Sequence, residues 1–130
     1  MLTKDKPETL IHLLAAYQPA RFPKDNARPQ DLDRLARTIA DNCAATVAFA
    51  DRKLRKITED NEETFSIYEA REEALTLKGR CAKEGWSARF NGRRKEVESL
   101  RLQYDNFTGS VRHMVGLLDP SLQEKLDEIL

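Results

Sequence analysis

Ten positions in the C-terminal half recur at steps of four and three in alternation: Trp86, Phe90, Arg93, Val97, Leu100, Tyr104, Phe107, Val111, Met114 and Leu118. All but Arg93 are apolar. This is the rhythm of a helix packed lengthwise on another helix, and the period-two alternation of a strand does not fit it. A chain with this stripe is restricted to side-by-side helices.

A second stripe precedes it: Leu32, Leu35, Ile39, Cys43, Val47, Ala50, Leu54 and Ile57. Alanines at 36, 40, 44, 45, 48 and 50 raise helix propensity there and let a neighbour approach closely. Asp31 and Asp33 fall in the expected first turn, just after Pro29. Beyond Ile57 the stripe continues in register through Asn61, Phe65, Tyr68, Glu72, Leu75, Gly79 and Ala82, and residues 58–63 hold no Gly or Pro. The expectation is therefore one long or kinked helix over 30–83. The alternative is two helices with a tight turn, started by Asp60 and Glu63 as a capping pair.

Shorter elements flank these. Residues 8–18 read as a short helix with Leu10, Ile11, Leu14 and Tyr17 on its buried face, opened by Pro7 and Glu8. Residues 19–29 contain Pro19, Pro23 and Pro29 and read as an extended connector. Gly85 and Asn91-Gly92 mark a turn over 84–93, with a long helix over 94–118. A single helix over 86–118 that tolerates Gly92 is the other option, at a cost of ~1 kcal/mol for the interior glycine. Gly109 and Gly116 mark either close packing or local weakness in that helix. Asp119-Pro120 signals a terminal helix over 120–130, with Leu122, Leu126 and Ile129 on one face. The chain of 130 residues is then one all-α domain. Its expected form is an elongated antiparallel helical hairpin or three-helix bundle, with short flanking helices at both ends.

Charge separates function classes. Charged residues make up 34% of the chain, which suits helices with wide solvated faces, and the net charge is zero. No global field draws the protein to nucleic acid or to an anionic membrane. Locally the balance swings: residues 59–73 hold 7 acidic and 1 basic side chains, and residues 74–101 hold 3 acidic and 8 basic. No apolar run approaches the roughly 20 residues of a membrane span. Asp5, Glu8 and His12 interrupt any secretory pattern, so a cytoplasmic location is expected.

Catalytic and metal motifs are not recognisable, and no cofactor is expected. Cys43 and Cys81 with His12 and His113 lack zinc-finger spacing, and Cys43 sits on an apolar stripe where a free thiol acts as a small hydrophobe. Neither histidine has a Glu three residues before it, and none has a nucleophile beside it in sequence. The acidic cluster Glu59, Asp60, Glu62, Glu63, Glu69, Glu72 and Glu73 contains Glu-x-x-Glu pairs that can share a divalent ion. In this it resembles all-helical nucleotide pyrophosphohydrolases, which face such a pair with a second one. Glu96 and Glu98 are two apart and cannot supply it.

The basic residues Arg80, Lys83, Arg89, Arg93, Arg94 and Lys95 surround Trp86 and Phe90. Arginines with aromatics suit phosphate contact and base stacking, although both aromatics also fall in the packing stripe. A second basic run is Arg52, Lys53, Arg55 and Lys56. The leading expectation is a non-enzymatic module that binds another protein, as adaptor, assembly factor, inhibitor or regulatory subunit, with a homodimer through the stripe left open. Nucleic-acid binding through Arg80–Lys95 is the alternative, and a metal-dependent nucleotide pyrophosphohydrolase the minor one.

Overall fold

The computed structural model describes residues 9–22, 29–82 and 94–130. These form helices α1 (Leu10–Ala16), α2 (Pro29–Lys56), α3 (Glu62–Ala82), α4 (Arg94–Leu118) and α5 (Gln123–Ile129), with a 3-10 turn over Pro120–Leu122. No strand occurs among the described residues, and the fold is an all-α helical bundle. No described helix is long and apolar enough to cross a membrane.

The stretch expected as one long or kinked helix over 30–83 is two helices, and this corrects the reading from sequence. α2 has 28 residues, about 42 Å of helix. It stops at Lys56, and α3 begins after five intervening residues and packs back along it. Asn61, not Asp60, ends the turn: its Oδ1 accepts from Thr64 N at 2.9 Å, and Thr64 Oγ1 donates to Glu59 O at 2.7 Å. A side-chain oxygen that satisfies a free first-turn N–H starts a helix without any Gly or Pro. Lys53, Arg55 and Lys56 in the last turn of α2 and Glu62 and Glu63 in the first turn of α3 each complement their helix dipole.

The reversal changes which face of α3 is buried. Ile67, Ala70, Ala74, Leu77 and Cys81 are buried together with Thr64 and Ser66. Every member of the expected continuation, Asn61, Phe65, Tyr68, Glu72, Leu75, Gly79 and Ala82, is exposed. Small residues set this interface. Ala70 and Ala74 of α3 and Ala36 and Ala50 of α2 are buried, and the two helices pack closely.

α4 keeps the predicted bounds of 94–118. Leu100, Tyr104, Phe107, Val111 and Met114 are buried, and Val97 and Leu118 pack half-buried against them. Trp86, Phe90 and Arg93, with the turn expected over 84–93, lie outside the described residues. α3 packs closely against both α2 and α4. Phe49 of α2 and Leu100, Tyr104 and Phe107 of α4 are buried in the same core.

The N-terminal segment closes the remaining side. Thr9 caps α1 through His12 N at 3.2 Å. α1 is shorter than the expected 8–18, and it buries Leu10, Leu13 and Leu14 followed by Tyr17, whereas Ile11 is 61% exposed. Spacing of i, i+3, i+4 and i+7 gathers these four on a narrower arc than any set containing Ile11. After α1 the chain runs extended from Tyr17. Asn42 accepts from Gln18 N at 2.9 Å and donates to Gln18 O at 2.8 Å, and Tyr17 Oη lies 2.7 Å from Thr46 Oγ1. Phe22 then reaches α4, with its ring 5.7 Å from that of Tyr104 and under the Arg101 guanidinium at 4.9 Å. At the other end Asp119 caps the 3-10 turn through Ser121 N at 3.2 Å. Leu126 is buried, and Leu122 and Ile129 pack half-buried beside it. A Cβ at Gly116 would displace the end of the Gln123 side chain, whose Nε2 donates to Arg112 O at 3.3 Å.

Candidate docking face on the third helix

The outer face of α3 is the most unusual surface among the described residues. Phe65 is 64% exposed, Tyr68 47% and Leu75 37%. On a helix these three lie within one arc and extend over about 15 Å. The other large exposed apolar side chains among the described residues, Ile11 and Leu102, stand singly on α1 and α4. Scattered apolar residues are ordinary on protein surfaces, while an aligned group with aromatics is the composition of a contact surface.

The charge around this face is mostly negative. Glu62, Glu69 and Glu72 are exposed on α3 beside the apolar residues, Glu73 is half-buried at the edge, and Lys78 is exposed one turn beyond Leu75. On the side toward α2, Arg71 Nε donates to Asp51 Oδ1 at 2.7 Å, and Arg71 Nη1 reaches Glu72 Oε1 at 3.1 Å. The Asp51 carboxylate raises the Arg71 pKa further, against a smaller opposing effect of desolvation. This ion pair fixes α3 against α2 at the level of Tyr68. An open hollow of about 420 Å³ lies beside it, lined by Asp51, Leu54, Arg55, Tyr68 and Arg71.

The basic set read from sequence is not assembled by the described residues. Arg80 ends α3, where Nη1 donates to Ser99 Oγ at 3.1 Å and to Gln103 Oε1 at 2.9 Å, so it clips α3 to α4. Arg94 and Lys95 open α4, but their side chains, with Lys83, Arg89 and Arg93, lie outside the described residues. The second run, Arg52, Lys53, Arg55 and Lys56, lines an open hollow of about 250 Å³ at the end of α2. Lys53 Nζ there sits 5.8 Å above the Phe49 ring.

The acidic pairs Glu59 with Glu62 and Glu69 with Glu72 are exposed. Among the described residues no group of three or more His, Cys, Asp or Glu side chains is arranged to hold a metal ion. His113 is exposed, and His12 Nδ1 is 2.9 Å from the Thr9 hydroxyl that caps α1. Cys43 and Cys81 are free and buried at the interface of α2 and α3. Burial drives both thiols upward, Cys81 to about 11 and Cys43 beyond it, so neither is a thiolate near neutrality. Burial also raises Tyr17, and it raises Tyr104 to about 12.

Sequence reading singled out Phe65, Tyr68 and Leu75 but as buried seam. The signal that separates the two faces is residue size. Ile67, Ala70, Ala74 and Leu77 also repeat at steps of three and four, and their small members match the alanines of α2. Comparison of the chain with protein-family models, with curated proteins and with solved structures found no match.

Proposed function

We propose that this chain is a non-enzymatic helical module that binds another protein through the outer face of α3. The observation that carries the reading is the exposure of Phe65, Tyr68 and Leu75 in one line on a helix whose opposite side is fully engaged in the core. Aromatic side chains are costly to leave in water and are enriched where proteins meet. Adaptor, assembly factor, inhibitor and regulatory subunit are the roles such a module can fill. The proposal puts it in the cytoplasm, supported by two unpaired cysteines that suit a reducing compartment.

The test is site-specific photo-crosslinking in nuclease-treated lysate of the native host. A benzophenone side chain replaces Tyr68 in one sample and Leu102 in another. The reading expects one protein crosslinked from position 68, lost when Phe65→Ser is added, and none from position 102. Equal crosslinking from both positions, or a product indifferent to Phe65→Ser, overturns it.

A further inference from the structure

We infer that the occupant of this face is a basic amphipathic α-helix contributed by a different protein, an inference that rests on the docking reading above. Backbone chemistry limits the partner's shape. The N–H and C=O groups of α3 are used within the helix, so its outer face offers side chains and no backbone pairing. An extended segment laid there would leave its own N–H and C=O groups unmet wherever water is excluded. A helix satisfies its backbone internally and presents side chains alone. Ridges of one helix then seat between those of the other, at the spacing that Phe65, Tyr68 and Leu75 already follow. The hollow beside the ridge, lined by Leu54 and Tyr68 and by the charged Asp51, Arg55 and Arg71, gives one side chain of the partner a place to enter.

Charge decides the partner's composition. Glu69 and Glu72 are exposed between the apolar positions, and Glu62 lies one turn before Phe65. Covering them with neutral or acidic surface removes their hydration, and only Glu72 has a cation of its own, Arg71, to offset the loss. Lysine or arginine flanking the partner's apolar stripe compensates them and accelerates encounter. The same charges disfavour a second copy. In a two-fold antiparallel pairing of α3 with itself, Phe65 comes against Leu75 and Glu62 against Lys78 of the other copy, but at the centre Glu69 and Glu72 of both chains meet only Arg71, which Asp51 and Glu72 of its own chain already engage. Nucleic acid meets the same repulsion from this face.

The experiment uses the full chain and three probe peptides of about 20 residues, long enough for one helix. The first carries a leucine stripe at i, i+3, i+4 and i+7 with lysines on its flanks. The second has the same stripe with glutamates, and the third is the first with its sequence scrambled. Fluorescence anisotropy reads binding. Only the first peptide is expected to bind. Phe65→Ser with Tyr68→Ser, and separately Glu69→Lys with Glu72→Lys, should each weaken it by about tenfold or more. Raising salt from about 50 to about 300 mM should weaken it several-fold. Circular dichroism of both variants must match the parent, which their exposure favours. If lysine and glutamate peptides bind alike and both depend on Phe65 and Tyr68, the charge inference is overturned while the docking face stands. If the scrambled peptide binds as well as the first, attraction is by charge alone and the helical partner is overturned. If none binds although the crosslink from position 68 persists, the partner is of another kind and this inference fails on its own.

Discussion

Asn42 holds Gln18 by both ends of one peptide unit, accepting from its N–H at 2.9 Å and donating to its carbonyl at 2.8 Å. Asn42 itself is fully buried on α2, so a side chain in the bundle's interior dictates the path of a segment that has no secondary structure of its own. Thr46, one turn on, holds the neighbouring Tyr17 hydroxyl.

Replacing Asn42 by Ala should cost about 2 kcal/mol, because two hydrogen bonds vanish and the Gln18 groups are left partly buried without partners. Asn42→Asp should cost more, since it keeps the acceptor, loses the donor and places a charge in the core. Urea denaturation read by circular dichroism measures both.

The phase of α3 can be checked by two pairs of substitutions. Phe65→Ser and Tyr68→Ser should change stability by no more than about 0.5 kcal/mol, as exposed positions do. Ile67→Ala and Leu77→Ala, on the opposite side, should each cost about 2–5 kcal/mol. The reverse ranking of melting temperatures would mean that α3 buries its other face.

Asn61→Ala removes the cap of α3 and should cost about 1 kcal/mol, while Asp60→Ala should cost little. Chemical denaturation of the two variants side by side distinguishes the residue that starts the helix from its neighbour.

Stability should fall under alkali. A thiol is neutral when protonated, so burial favours the protonated form and lifts its pKa. Cys81 ionises in the unfolded chain from about 9 but in the fold only near 11, with Cys43 higher still. The stabilisation is intact below about pH 9 and is lost as pH climbs through the folded values. Urea midpoints taken from pH 8 to 11 should decline, and the decline should be shallower in Cys81→Ala. A thiol reagent at pH 8 should react only as fast as the protein opens.

Much of this fold is legible in the residues. The stripe from Val97 to Leu118 becomes α4 with the expected face inward, because its apolar residues crowd one side only. The end of α2 is not legible from Gly or Pro, since an asparagine cap does the work that those residues usually signal. α3 carries apolar side chains on two sides, and periodicity alone cannot rank them; the choice follows from the alanines that α2 presents. The same limit explains Leu13 and Ile11, apolar residues two apart that are separated by their angular position on a short helix. The basic set was legible only as composition: the geometry commits Arg80 to Ser99 and Gln103, a role that spacing does not encode.

The segment from Tyr17 to Phe22 touches α2 through Thr46 and Asn42 and α4 through Tyr104. Its two anchorages are far apart along the chain, whereas α2 with α3 and α3 with α4 are consecutive. Consecutive pairs can form early at a low closure entropy, but the clasp has a complete seat only once α4 has arrived. Assembly thus has an expected order, helical pairs first and clasp last, and opening should run backwards. Native-state hydrogen exchange should find the Gln18 amide released in a smaller opening than the amide of Ala74, which makes the stretch from Tyr17 to Phe22 the fastening of the bundle rather than its foundation.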